Sequence, residues 1–231
     1  MRLLDDAVRI EDEEGLLHRL VQDAVGLPRV EAAGCVLLPL DGHPAQSSAS
    51  DDRTCRLERL QSQLLEGPGA CTAHTGKLLV DLPMARPISR TRWPRFAPAV
   101  LRAGFTAVTA VPIRHDGVCG VLSLYHQRGA LSPDQVERGR LLASAAAIGL
   151  AHHRALYEAR VRERRLQAAL DSRVLVEQAK GMLAERLDCT VGDAFELLRR
   201  HARAHRMRLR DLAGQIVSGP PAEGPFQRSP R

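Results

Sequence analysis

The chain has 231 residues, of which 44% are hydrophobic and only 3% aromatic, so it can bury a sizeable core built mainly from leucine, valine, alanine and isoleucine. The net charge of +6 allows a polyanionic partner. Almost all of the positive charge is arginine, since lysine occurs only at Lys77 and Lys180, and we therefore do not count general arginine richness as evidence for nucleic-acid binding. Five scattered cysteines argue against a disulfide framework or a zinc site, and the lack of a signal-peptide pattern or a long apolar run leads us to expect a cytoplasmic protein without a membrane span.

The first part of the chain is predicted to mix strands and helices. Its clearest signal is a β-hairpin at 107–126, where two runs rich in β-branched residues flank the turn dipeptide Asp116-Gly117. A capping box at 132–135 then opens a helix with no breaker until about Leu187. The elements predicted before the hairpin are a helix over 13–25, a strand over 32–40, an edge strand over 46–52, a helix over 56–66 with Leu57, Leu60 and Leu64 on its apolar side, a short helix ending at 75, a strand over 78–82, a loop over 83–94 and a helix over 94–103.

The last fifty residues before the tail predict three short amphipathic helices in a small bundle. The end of the long helix contributes the first, a cap at Thr190 opens the second, and the stripe from Leu209 to Ile216 marks the third. Upstream, 155–170 mixes apolar and charged residues, which favours a short two-stranded coiled coil over a solvated linker helix. The tail after Gly219 is rich in proline, glycine and charge, which predicts disorder.

The bundle segment resembles the ANTAR family of antitermination domains. The strings that carry the resemblance are Ser172-Arg173, Glu177-Gln178-Ala179-Lys180-Gly181, Ala194-Phe195, Leu197-Leu198-Arg199 and Ala202, with a departure at Leu183-Ala184, where the family usually has Leu-Met. The resemblance implies binding to paired small hairpins in nascent RNA that overlap a terminator, so that the antiterminator form is held and transcription continues. It also implies a homodimer, because two such domains engage two loops.

The preceding part resembles a GAF domain over roughly 14–156, through the strings at 91–96, 108–125 and 131–159. We therefore expect an α+β fold, with a GAF domain (an antiparallel sheet flanked by helices) over 14–154, a helical linker or coiled coil over 155–165, a three-helix ANTAR bundle over 166–218 and a disordered tail over 219–231. A mostly apolar pocket is expected between the sheet and 54–105, where Trp93 and Phe96 suit either the pocket or the core. Neither a cyclic-nucleotide signature nor a bilin-type cysteine context is present, so we expect an unidentified small-molecule ligand and no other cofactor or metal.

Lys180 and Arg199 are the leading candidates for RNA contact. Lys180 stands out because the chain otherwise uses arginine, and Arg199 opens a run of twelve residues without an acid, although such runs are usually solvated faces. Gly181 interrupts a helix at a cost of about 1 kcal/mol, which we attribute to close packing of a neighbouring helix in preference to an approaching RNA backbone. The full candidate set is Arg173 (which also suits a dimer contact), Gln178, Lys180, Gly181, Arg199, Arg203 and Arg208.

We interpret the chain as an RNA-binding transcription antitermination regulator whose first domain senses a signal. We expect no enzymatic activity, since no phosphate-cradling loop, zinc-protease motif or nucleophile elbow occurs. Two alternatives stay open: a DNA-binding regulator using a helix-turn-helix, and a signalling adaptor that binds no nucleic acid. The string at 178–181 ends a long helix instead of opening a recognition helix, which disfavours the DNA-binding alternative.

Overall fold

The computed structural model describes residues 2–39, 45–127, 129–219 and 226, and the chain forms two compact units, Met1–Tyr157 and Glu158–Arg231. One helix, α6, begins in the first unit and ends in the second. The elements in chain order are α1 (Arg2–Val25), β1 (Ala32–Leu37), β2 (Gln46–Ala49), α2 (Asp52–Leu64), α3 (Pro68–Thr75), β3 (Leu79–Pro83), α4 (Pro87–Arg92), α5 (Phe96–Arg102), β4 (Ala107–His115), β5 (Val118–His126), α6 (Pro133–Leu187), α7 (Val191–Ala204) and α8 (Leu209–Ser218).

A five-stranded antiparallel sheet in the order β2-β1-β5-β4-β3 forms the centre of the first unit. Its central hairpin, β4–β5, is the predicted one, closed by Asp116 and Gly117 with φ values of 37° and 80°. Positive φ at both residues is what a two-residue type I′ turn requires, and glycine adopts it without strain. The predicted edge position of β2 is also confirmed.

Helices pack on both faces of this sheet, which confirms the expected α+β fold. Because side chains alternate along a strand, Leu124 of β5 enters one core with α1 and α6, whereas the adjacent Tyr125 enters the other core with α2 and α5. In the described residues, no helix is long and apolar enough to cross a membrane.

The segment predicted as a loop over 83–94 contains a short helix, so that prediction is corrected. Helix α4 spans six residues and begins with Pro87, whose fixed φ suits the first helical position. The Ser89 hydroxyl donates a 2.7 Å hydrogen bond to the Pro83 carbonyl and ties the helix to the end of β3. A helix of fewer than two turns shows no repeat of apolar spacing, and the sequence pattern therefore missed it.

The buried face of α2 also differs from the predicted one. Leu57 is buried as expected, but Leu60 and Leu64 are only half-buried. The fully buried positions follow the spacing i, i+3, i+4, i+7 and carry polar side chains among them: Thr54, Leu57, Glu58 and Gln61. The sheet therefore receives polar groups from this helix.

The second unit buries one face of the last turns of α6 against α7 and α8, as predicted. Thr190 caps α7, since its hydroxyl accepts a 3.1 Å hydrogen bond from the Asp193 amide. The core side chains are small or branched aliphatic groups: Ala179, Leu183, Ala194, Leu198, Ala202, Leu212, Ala213 and Ile216.

Candidate functional site

Lys180 and Arg199, the two leading candidates, both lie close to one aromatic ring. The Lys180 Nζ atom is 5.1 Å from the centroid of the Phe195 ring, and the Arg199 guanidinium carbon is 5.6 Å from it. Phe195 is half-buried beside the core positions of α7, so part of its ring meets solvent. The structure thus joins two predicted residues with a third that the sequence analysis did not select, and we name Lys180, Phe195 and Arg199 the basic–aromatic cluster.

Each cation of the basic–aromatic cluster also pairs with an acid three residues earlier. Lys180 Nζ lies 2.8 Å from Glu177 Oε2, and Arg199 donates to Glu196 Oε1 at 3.1 Å. Both acids are more than half exposed, and ion pairs in such settings contribute about 0–1 kcal/mol. Both cations are therefore held in place by weak, solvent-accessible partners that a phosphate could replace.

Gly181 lies next to the cluster on an open surface. A β-carbon built at this position meets nothing within 4 Å among the described residues. The expectation that a neighbouring helix packs tightly there is therefore wrong. Glycine at this position destabilises the helix by about 1 kcal/mol relative to alanine, and no packing contact within the described residues requires it.

Helical spacing extends the cluster to two more candidates. Arg173 precedes Lys180 by seven residues on α6, and Arg203 follows Arg199 by four on α7, so each shares a stripe with its partner. Both are exposed. The remaining candidates, Gln178 and Arg208, are exposed elsewhere, since Gln178 is rotated from Lys180 by about two residue steps of 100° and Arg208 precedes α8.

His201 and His205 stack on each other, with ring centroids 4.0 Å apart. Burial and the adjacent His205 lower the pKa of His201. Phe226, within the tail predicted as disordered, packs 4.9 Å from the His201 ring, whereas 220–225 and 227–231 lie outside the described residues. In the part of the chain that the structure describes, no group of three acids, histidines or cysteines could hold a metal ion.

A cavity of about 410 Å³ opens in the first unit between β1, α2 and α3. The predicted pocket over 54–105 is thus found in part, since residues near 36–39 and Ala45 line its other side. Trp93 and Phe96 do not line it, because both are buried in the core beneath α2 and α5. The lining is mostly aliphatic: Val36, Leu37, Leu38, Pro39, Ala45, Glu58, Gln61, Ser62, Leu65, Gly69, Ala70, Ala73, His74 and Val121.

Glu58 and Gln61 bring a buried polar network to this cavity. The Tyr125 hydroxyl donates to Glu58 Oε1 at 2.8 Å, Gln61 Nε2 donates to Glu58 Oε2 at 3.2 Å, and the Gly69 amide donates to Gln61 Oε1 at 2.8 Å. Glu58 is only 2% exposed. Burial raises the pKa of its carboxyl from 4.5 to about 7, because a carboxylate loses hydration there, while the hydrogen bonds oppose the shift.

Two glycines make the room that this network occupies. A β-carbon at Gly34 would lie 2.6 Å from Cγ of Glu58, and one at Gly69 would lie 2.7 Å from Oε1 of Gln61. Such distances are not tolerated by real side chains. Glu58 and Gln61 are not predicted as site residues from the sequence, because polar residues at helical spacing resemble a solvent face. The pattern Thr54, Leu57, Glu58, Gln61 is nevertheless detectable as a stripe.

The two units therefore carry different kinds of site, a ligand-sized cavity in an α+β domain and a basic surface on a helical bundle, as in regulatory proteins of two domains. A model of the GAF domain family matches residues 11–151, more than half of the chain, and a model of the ANTAR domain matches residues 164–217. The chain belongs to the GAF-domain family and carries an ANTAR domain after it. A GAF domain is a sensory domain and an ANTAR domain is an RNA-binding module of antitermination regulators.

Several solved GAF domains are similar to the chain at low identity. One, from an Acinetobacter phosphoenolpyruvate-protein phosphotransferase, is 16% identical with a TM-score of 0.44, covering 67% of this chain and 95% of that one. A GAF domain/HD domain protein from Geobacter sulfurreducens is 14% identical with a TM-score of 0.44, covering 60% and 92%. The PixJ GAF domain from Thermosynechococcus elongatus is 15% identical with a TM-score of 0.45, covering 68% and 95%. A comparison with curated proteins finds no match.

Proposed function

We propose that this protein is a signal-responsive antitermination regulator that binds paired hairpin loops in nascent RNA. In the proposed mechanism, the ANTAR domains of a homodimer hold two loops, stabilise the antiterminator form and let transcription continue. The observation that carries the proposal is the basic–aromatic cluster, in which Lys180 and Arg199 both lie within 6 Å of the ring centroid of a partly exposed Phe195. The role is one of binding, in the cytoplasm, without a catalytic step.

The chemistry of the cluster suits an unpaired RNA loop. Loop bases are unstacked and stack readily on aromatic rings, with about 1–3 kcal/mol per base, while basic side chains pair with phosphates. Phe195 supplies the ring, and Lys180 and Arg199 supply the charges. On binding, each cation exchanges its exposed glutamate for a phosphate, so the ion pairs of the free protein position the cations at little energetic expense.

The open surface at Gly181 is consistent with the same role. Because no described residue comes near its missing side chain, a ligand backbone can approach the helix closely beside Lys180. Gly181→Ala fits the free protein without a clash. The variant is expected to be more stable, since alanine is the better helix former, and to bind RNA less tightly.

Exposed apolar side chains along α6 support the proposed dimer. Leu166, Leu170 and Val174 are 67%, 58% and 56% exposed, and they recur every four residues on one side of the helix. A matching helix from a second copy would bury them in a short coiled coil. This pairing gives the two ANTAR domains that two loops need.

A filter-binding assay with full-length protein tests the function. The probes are an RNA with two hairpins, the same RNA with its loops paired by a complementary strand, and a duplex DNA of the hairpin-stem sequence. We expect preference for the unpaired-loop RNA. Preference for the duplex DNA would favour a DNA-binding regulator, and binding to none of the three would favour a signalling adaptor.

A further inference from the structure

The GAF cavity holds a carboxylate that forms no ion pair with any residue that the structure describes. Glu58 lines the cavity and is almost fully buried, and the side chains that hydrogen-bond to it include those of Tyr125 and Gln61, which are both neutral. The ion pairs seen among the described residues do not include it. Burying an ionised carboxylate without a counter-charge is unfavourable, so a cation that enters the cavity would stabilise the ionised form of Glu58.

The placement of Glu58 is specific. Gly34 on β1 leaves the space that the Glu58 side chain fills, and Gly69 does the same for Gln61. The network thus depends on two backbone positions without side chains, on two different elements. A merely solvated acid would need neither.

We propose that the cavity binds a small organic cation, a protonated amine on an apolar body, whose ammonium group pairs with the Glu58 carboxylate. The aliphatic walls would cover the body, and the volume of about 410 Å³ lies within the range of small-molecule sites. An anion would face the carboxylate at short range, and a wholly apolar ligand would leave it unpaired. The inference rests on the proposed sensory role of this domain and states the class of molecule that it senses.

The titratable groups around Glu58 define a pH signature. Tyr125 on β5 and Cys35 on β1 stay neutral near pH 7, because burial raises the pKa of the tyrosine well above 10 and that of the thiol to about 12. Arg59 on α2 lines an adjacent cavity together with Glu58. His74 on α3 lines the same cavity as Glu58.

The binding of an amine should therefore strengthen as the pH rises. For a carboxyl with a pKa of about 7, the ionised fraction rises from about one tenth near pH 6 to about nine tenths near pH 8. We expect amine affinity to rise about ten-fold over this range. His74→Gln should leave most of this dependence in place, which separates the contribution of Glu58 from that of the histidine.

Calorimetric titration of the full chain tests the proposal with matched probes. The amines are cyclohexylmethylamine, benzylamine and hexylamine, each compared with its alcohol and its carboxylate. We expect at least one amine to bind about ten-fold more tightly than its alcohol, as for a charge-assisted hydrogen bond, and the carboxylates not to bind. The preference should disappear in Glu58→Gln.

A second variant keeps the test valid if Glu58→Gln does not fold. Ala73→Leu fills the cavity from α3, leaves Glu58 itself unchanged and should abolish amine binding while the domain still melts cooperatively. The proposal is overturned if no amine binds better than its alcohol, if binding survives Ala73→Leu, or if affinity is independent of pH. RNA binding measured on the same samples reports separately on the proposed function.

Discussion

Replacing Lys180 with methionine should weaken RNA binding and leave the second unit folded. The Lys180 side chain is only 16% exposed and lies over Phe195, so alanine would remove packing as well as charge. Methionine keeps an unbranched stem against the ring and removes only the ammonium group. The variant lacks the ion pair with Glu177, worth about 0–1 kcal/mol, and the cation–π interaction with Phe195, worth about 0.5–1 kcal/mol. Because the methionine side chain packs on the ring and offsets part of this sum, the free energy of unfolding should fall by about 1 kcal/mol.

The size of the binding effect should depend on salt. Removing one phosphate interaction from a single-stranded site lowers the slope of log Kobs against log salt by about 0.7. Between about 50 and about 200 mM salt, this slope corresponds to about a 2.6-fold change, so the deficit of the variant should shrink by that factor at the higher salt. If Lys180 instead binds a base, its replacement would relax the preference for loop sequence, at about 1–3 kcal/mol.

The assay pairs filter binding at these two salt concentrations with a thermal melt. The matched control is Lys77→Met, since Lys77 is the only other lysine in the chain and lies exposed in the first unit. We expect this control to bind like the wild type. If Lys180→Met melts normally and binds the hairpin RNA like the wild type at both salts, the assignment of Lys180 is wrong. If Lys77→Met loses as much affinity, the effect belongs to net charge and not to a site.

Three further perturbations test other parts of the molecule. Glu177→Gln and Glu196→Gln remove the carboxylates that compete with phosphate, so each should tighten RNA binding in the filter assay by up to about five-fold. If affinity does not increase in either variant, the proposed exchange of glutamate for phosphate is contradicted. Folding raises the pKa of Glu58 from 4.5 to about 7, so the folded state holds this proton more tightly than the unfolded state. The free energy of unfolding of the first domain should therefore fall by about 3 kcal/mol between pH 4.5 and about 7 and level off above. A series of thermal melts should show this fall in the wild type and not in Glu58→Gln. Leu166→Glu and Leu170→Glu should each convert the dimer into a monomer, as measured by light scattering, while circular dichroism shows unchanged helix content. A wild-type protein that is monomeric at micromolar concentration would contradict the two-loop mechanism.

Local signals in the sequence predicted most of the fold. The Asp116-Gly117 turn located the central hairpin, and the caps at Ser132 and Thr190 located the starts of α6 and α7. Turns and helix caps are determined by residues that are close together in the chain, so they can be predicted from a single sequence. The short helix α4 was missed because its stabilising hydrogen bond from Ser89 runs to a residue outside its own turn.

The candidate sites were less accessible to sequence reasoning, for a physical reason. Whether a polar residue is buried depends on what the rest of the fold brings over it, and Glu58 meets Tyr125 from a strand 67 positions away. Phe195 is likewise defined by its contact with Lys180 on another helix. Charge and motif resemblance identified Lys180 and Arg199, but the aromatic ring that both of them approach could be recognised only from the tertiary arrangement.

The glycines at 34 and 69 give the polar network a signature that other sequences can be searched for. Any chain with a β-carbon at either position would have to move the acid or the amide out of its place. A glutamate and a glutamine three residues apart on α2, with one glycine on β1 and another at the start of α3, therefore form a fingerprint of four linked positions. Where the glutamate is replaced by a residue without a γ-carbon, such as alanine, the constraint on the strand glycine is lifted, and the two positions should change together.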